Sequence, residues 1–259
     1  MRKQSDEFAI AVEAARKAGK LILEQTISRK IVGFKTKVDF VTNVDKNSER
    51  LITSLIKKHF PDHGILAEEG TNSEDDNLWI IDPLDGTVNF MHGYPCFCVS
   101  IALVKKGKQT IGVVYDPLKD EMFHAIAGKG AYLNDRGIRV SKAKELNDSL
   151  LITGFYYDRG EIMRRTLQKI GEFLMLNIQG IRRDGSAALD MCAVASGRAD
   201  GYWEFVLSPW DFAAASLIVK EAGARVTTTE GKPIEMNKGG ILAANNNIHK
   251  RMLEILSRP

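Results

Sequence analysis

Residues 80–90 read IIDPLDGTVNF, in which two strand-forming isoleucines run straight into Asp82 and Asp85, carboxylates separated only by Pro83-Leu84. No other stretch limits the fold as tightly, because a carboxylate at the end of a buried strand is unfavourable unless it is paired or bound to a cation. The Pro83-Leu84 bend lets both side chains face one point, and the Leu84 carbonyl offers a further oxygen. A hard divalent cation such as magnesium takes several oxygens and engages substrate phosphate. Gly86-Thr87 then opens a short helix, GTVNFM, whose free N–H groups form an anion site. An Asx turn capped by Asp85 explains the bend, but it leaves Asp82 without a reason. A cation cradle beside a phosphate cradle is the arrangement that metal-assisted phosphoryl transfer requires.

Three further acidic patches stand out: Asp39 and Asp45 in VDFVTNVD, Glu68-Glu69 in ILAEEG, and Asp211 in SPWDFAAAS. Between them the chain mixes two periodicities. Helical spacing over 6–25, and again from Thr42 as N-cap through NVDKNSERLITSLIKKHF, predicts two amphipathic helices. Strands are expected at 64–67 and 78–81, then in a β-rich stretch at 97–104, 109–115 and 121–125. The second half alternates strands near 150–153, 177–181, 201–204 and 241–244 with helices near 161–173, 186–196, 209–221 and from 248. Such mixing predicts a layered α/β or α+β architecture with two sheets.

Composition works mainly by exclusion. With 259 residues, 44% of them hydrophobic, the chain can bury a sizeable core. A net charge of +3 without long basic runs permits polyanion contact but does not argue for nucleic acid. No stretch approaches the ~18 uninterrupted apolar residues of a membrane span, and MRKQSDEFAIAVEAARKAG lacks a signal-peptide pattern. Cys96, Cys98 and Cys192 read as free thiols in a reducing cytoplasm. His59 and His63 flank a helix end, where positive charge is favourable, His92 reads as local packing, and Trp203 and Trp210 read as packing anchors. Arg182-Arg183 reads as a surface or subunit-contact pair; the alternative is a bidentate clamp on a second phosphate.

Taken together, VDFVTNVD, LAEEG, IDPLDGTVNF, IRRDGSAALDMCAVASGRADGYWE and PWDFAAASLIVKEAGA resemble the inositol monophosphatase family. That family lies within the lithium-sensitive, magnesium-dependent phosphatases that include fructose-1,6-bisphosphatases and bisphosphate nucleotidases. The resemblance covers nearly the whole chain and is strongest to the bacterial branch. It implies one inositol monophosphatase-like domain over 1–259, an αβαβα sandwich of alternating helix and sheet layers. An N-terminal α+β half spans about 1–145 and a C-terminal α/β half about 146–259.

By the same resemblance, Glu68, Asp82 and the Leu84 carbonyl hold one metal, and Asp82, Asp85 and Asp211 a second, with a weaker ion near Glu68. The cofactor implied is Mg2+, in two or three ions, with Mn2+ as a substitute and Li+ and Ca2+ as inhibitors. Asp45 and Thr87 correspond to the pair that activates water for in-line attack on a phosphate monoester. Gly86 and Thr87 correspond to phosphate-binding positions, and Asp85, Gly185, Ser186, Ala187 and Glu204 to contacts with the alcohol. Ser208 departs from the pattern, since animal members carry histidine there. The resemblance implies hydrolysis of myo-inositol 1-phosphate by a cytoplasmic homodimer. The alternatives are a fructose-1,6-bisphosphatase, a 3'-phosphoadenosine-type nucleotide phosphatase, or a protein associated with RNA and the transcription machinery.

Overall fold

The computed structural model describes residues 2–25, 31–34, 40–157 and 159–258; Asp39 lies outside the described residues. The first half runs α1 (Arg2–Gln25), β1 (Ile31–Phe34), β2 (Phe40–Thr42), α2 (Asn43–His59), β3 (Gly64–Ala67), β4 (Asn72–Ser73) and β5 (Asn77–Asp85). It continues through α3 (Thr87–His92), β6 (Cys98–Lys105), β7 (Lys108–Asp116), β8 (Glu121–Ile126), β9 (Ala131–Leu133) and β10 (Arg136–Ile138). The second half runs β11 (Leu150–Thr153), α4 (Glu161–Leu174), β12 (Gly180–Arg182), α5 (Ala187–Ala195) and β13 (Gly201–Leu207). It closes with α6 (Pro209–Glu221), β14 (Arg225–Thr227), β15 (Gly239–Ala244) and α7 (His249–Leu256).

Two main sheets form, one ordered β10-β9-β8-β7-β6-β5-β3-β4 and one ordered β12-β11-β13-β15-β14. Alternation along the strands places helices on both faces of each. On the large sheet, Trp79, Ile81, Val99, Ile101 and Leu103 pack against α1 and α2, while Ile80, Cys98, Ala102 and Val104 face α5 and α6. On the small sheet, Tyr202 and Ala243 face that same α5–α6 layer, and Trp203, Leu242 and Ala244 face Phe173 of α4 and Met252 of α7. The result is the five-layer αβαβα sandwich. The middle layer can be thin because α6 carries Ala213, Ala214 and Ala215, which let it approach the sheet closely. A Cβ at Gly112 would stand 2.5 Å from the Ala214 carbonyl, so β7 needs glycine there.

Three expectations are corrected. The strand predicted at 177–181 is confined to Gly180–Arg182, because the end of α4 continues through turn bonds to Asn177, which is left-handed at φ 57°. The strand predicted to stop at Ile81 continues to Asp85. His63 is not a cation at a helix end: it is buried, stacks on Phe60 and accepts a hydrogen bond at Nδ1 from Trp79 Nε1 at 3.0 Å.

His249, at the start of α7, supplies a stability prediction. It is buried, with Nε2 3.1 Å from Thr227 Oγ1, whose own proton is given to the Thr228 carbonyl. The ring therefore donates from Nε2, and its Nδ1 has no hydrogen-bond partner among the described residues. Burial, reinforced by Arg225, pushes its pKa down to about 4. A base whose folded pKa is depressed contributes stability above its unfolded pKa, near 6.5, and loses it as pH falls toward 4. His249→Gln is expected to flatten that acid-side loss by on the order of 2 kcal/mol, read from urea midpoints between pH 7 and pH 4. Parallel curves for the variant and wild type would remove His249 from the account.

Candidate active site

The end of β5 sets the geometry. Asp82 pairs with Ser100 and Asp85 with Cys98, so β5 advances three residues where β6 advances two, a β-bulge. Pro83 has no N–H for the ladder, which favours the bulge at this point. Inside it the Leu84 N–H donates to Asp82 Oδ1 at 3.0 Å, and Ser48 Oγ of α2 donates to the Pro83 carbonyl at 2.8 Å. Gly86 follows in the left-handed region at φ 93°, where a Cβ would stand 2.7 Å from the Cys96 carbonyl.

Asp85 Oδ2 accepts from Ser186 Oγ at 2.6 Å and from the Ala188 N–H at 2.8 Å. Asp211 Oδ2 accepts from the Ser208 N–H at 2.6 Å, fixing the first turn of α6. Asp82, Asp85 and Asp211 thus each spend one carboxylate oxygen on a protein donor. None of the three has a Lys or Arg ion-pair partner among the described residues. Burial, then the charges of Glu68, Asp85 and Asp211, hold Asp82 well above the ordinary carboxylate range. Burial, then Glu68 and Asp85, do the same to Asp211, while Asp85 is raised by burial and restrained by the Ser186 and Ala188 bonds.

These repelling oxygen donors share one cleft lobe of about 440 Å³ with Glu68, Leu84, Gly86 and Thr87. Among the described residues no three acidic, histidine or cysteine side chains are gathered closely enough to enclose an ion as they stand. The donor set nevertheless fits a hard cation: it is all oxygen, three of its members are pinned through one oxygen only, and a positive charge would relieve the repulsion.

Asp45, in the first turn of α2, is 1% exposed and reaches the cleft through Thr87, whose Oγ1 donates to Asp45 Oδ1 at 3.0 Å. The Leu84 carbonyl lies equally close to that hydroxyl, at 3.0 Å, so one proton faces two acceptors. Asn89 of α3 donates to the Cys96 and Asp184 carbonyls at 2.7 and 2.8 Å, which ties the Gly86 loop to the segment before α5.

An adjoining lobe of about 310 Å³ holds Gly185, Ser186, Ala187 and Glu204. Glu204 is buried within β13 and accepts from the Tyr202 hydroxyl at 2.8 Å. Burial pushes its pKa up to about 7 against that bond and the charge of Arg183. Ser186 lines this lobe, and its hydroxyl donates to Asp85.

Several residues of the site escaped the sequence reading. The arginine pair splits: Arg182 turns back to the Ile181 carbonyl, while Arg183 lines both lobes and lies 6.0 Å from the Phe155 ring centre. Arg183 is thus exposed, as the surface reading expects, and stands at the cleft. Trp210 packs against the core yet also lines the smaller lobe, whereas Trp203 is a fully buried anchor. Asp190, buried in the first turn of α5, lines that lobe too, and burial and the nearby Asp184 hold its pKa high. Its place in ALDM, one acidic residue in an apolar helix, was the available signal.

The fold agrees with the comparisons. The pattern of the inositol monophosphatase family matches residues 3–258, and the chain belongs to that family. It is 46% identical over 222 residues to the inositol-1-monophosphatase of Synechocystis sp., covering 85% of this chain and 77% of that protein. To the Nus factor SuhB of Haemophilus influenzae it is 44% identical over 254 residues, covering 94% and 93%. The solved structure of the inositol monophosphatase from Anabaena (Nostoc) sp. PCC 7120 superposes with a TM-score of 0.88 at 43% identity, covering 97% of this chain and 95% of that one.

Proposed function

We propose that this chain is a magnesium-dependent phosphatase that hydrolyses myo-inositol 1-phosphate to myo-inositol and phosphate. The observation that carries the reading is the cleft itself, with Asp82, Asp85 and Asp211 each pinned by one oxygen beside Gly86-Thr87 and a polar lobe reaching Glu204. Glu68, Asp82, Asp85, Asp211 and the Leu84 carbonyl would hold Mg2+, which when bound polarises the phosphoryl group and makes water a better nucleophile near neutral pH. Thr87 takes a proton from the attacking water at Oγ1 and passes its own to Asp45 Oδ1. The Gly86-Thr87 backbone receives phosphate oxygens, while Asp85, Gly185, Ser186, Ala187 and Glu204 receive the alcohol. A carboxylate of raised pKa can accept from, or when protonated donate to, a polyol hydroxyl.

Mn2+ is the expected substitute, with Li+ and Ca2+ as inhibitors. The free state of Cys96, Cys98 and Cys192 supports a cytoplasmic setting, and a homodimer is the assembly we assign. No helix among the described residues is long and apolar enough to cross a membrane.

Initial rates across myo-inositol 1-phosphate, fructose 1,6-bisphosphate and 3'-phosphoadenosine 5'-phosphate test the assignment. We expect no turnover without Mg2+, and with it roughly tenfold or greater preference in kcat/KM for the inositol ester. A preference for fructose 1,6-bisphosphate would reassign the substrate, and Mg2+-independent hydrolysis would sink the reading. The name of the Haemophilus relative favours a second reading, association with the transcription machinery. Capture of transcription factors by both wild type and Asp85→Asn would show such binding to be independent of catalysis.

A further inference from the structure

One turn along α2 from Asp45, the helix directs two more polar side chains inward, Ser48 and Glu49, and Glu49 is only 6% exposed. A carboxylate so deeply placed needs donors, and one turn of chain provides them. Oε2 accepts from the Glu69 N–H at 2.7 Å, while Oε1 accepts from the Thr71 N–H at 3.2 Å and Thr71 Oγ1 at 2.6 Å. That turn links β3 to β4. It is closed by the Ala67 N–H on the Thr71 carbonyl at 2.8 Å and passes through Gly70 at φ 121°.

The turn carries Glu68. Its own N–H donates to the Ile81 carbonyl of β5 at 3.2 Å, and the next N–H along the chain is the one held by Glu49. Glu68 therefore sits between an anchor on β5, the strand that supplies Asp82 and Asp85, and an anchor on α2, the helix that supplies Asp45. Ser48 performs the equivalent task for the bulge through the Pro83 carbonyl at 2.8 Å.

We propose that Glu49 is a positioning residue for the cation site, its carboxylate fixing the Ala67–Thr71 turn so that Glu68 presents its oxygens beside Asp82. The proposal rests on the magnesium reading above. A carboxylate is suited to the task because all of its lone pairs accept. Glutamine keeps the size but turns one arm into an NH2 facing backbone or hydroxyl donors, so one side of the clamp fails. Groups that orient metal-ligating residues typically change metal affinity by about 10–100-fold when lost.

The test is calorimetric titration of Mg2+ into the full-length, metal-free wild type, Glu49→Gln and Thr71→Val, with turnover measured against Mg2+ in parallel. The Mg2+ Kd is expected to rise about tenfold in Glu49→Gln and by roughly threefold in Thr71→Val, which loses only the hydroxyl arm. Half-saturating Mg2+ should rise in step, while kcat at saturating Mg2+ stays within about threefold. Unchanged Kd in both variants, or a fall in kcat without a change in Kd, overturns the proposal. Should Glu49→Gln lack the wild-type circular dichroism spectrum, Thr71→Val decides alone. A wild type that takes up no Mg2+ overturns the phosphatase reading as well, whereas normal wild-type uptake with unchanged variants overturns only the role of Glu49.

Discussion

Asp85→Asn is expected to lower turnover of myo-inositol 1-phosphate at saturating Mg2+ by roughly 10³-fold or more. Electrostatic stabilisation by a bound metal amounts to several kcal/mol, and about 4 kcal/mol corresponds to a thousandfold in rate. Asparagine is close in shape, and its carbonyl can still accept from Ser186 Oγ and the Ala188 N–H, the two short bonds that hold Asp85 Oδ2. What changes is the other arm, where an NH2 without charge replaces the oxygen that the proposed site would offer to the cation. The fold should survive, and the metal-free variant should be at least as stable as the wild type at neutral pH. The sign follows from linkage: burial raises the Asp85 pKa, so its ionised form opposes folding increasingly as pH rises through the carboxylate range. The rise in Tm that Mg2+ gives the wild type should largely vanish. Near-wild-type turnover in a folded Asp85→Asn would remove Asp85 from the metal site.

The parts of this site that were legible in the sequence are those whose chemistry is local. Asp82, Pro83, Asp85 and Gly86 lie within one bend, and a carboxylate beside a buried strand raises its question without any tertiary information. The layers were legible for a similar reason, since alternation in β6 and the alanine run of α6 each declare which faces are buried. The limit of β5 was not, because a bulge is defined by its partner strand, and nothing in IIDPLD states that Asp85 will pair with Cys98. That Arg183 would line the cleft was not legible, because adjacent exposed arginines look alike in sequence, while the backbone sends one toward Ile181 and the other over the cleft. His63 needed Trp79, sixteen residues away, to become a buried acceptor. The face formed by Asp45, Ser48 and Glu49 did leave a trace. These polar residues share the inward stripe of α2 with Ile52 and Ile56, where an ordinary amphipathic helix would place apolar groups.

Asp45→Asn is expected to cut kcat by about 10²–10³-fold, the range typical of a lost proton acceptor, while leaving the Mg2+ Kd within roughly twofold. The separation follows from position. Asp45 does not line either lobe of the cleft, and it meets the cleft at Thr87 Oγ1, 3.0 Å away. Removing its charge therefore disables the relay without removing an oxygen from the cation's donor set. Thr87→Val should have a comparable effect, because the hydroxyl is the only atom of that side chain able to pass a proton. The double variant should be little worse than either single one, since two links of one relay are not additive. A collapse of Mg2+ affinity in Asp45→Asn would instead make Asp45 a ligand. If the losses in Asp45→Asn and Thr87→Val multiplied in the double variant, the two residues would be acting separately, and the water would need another base.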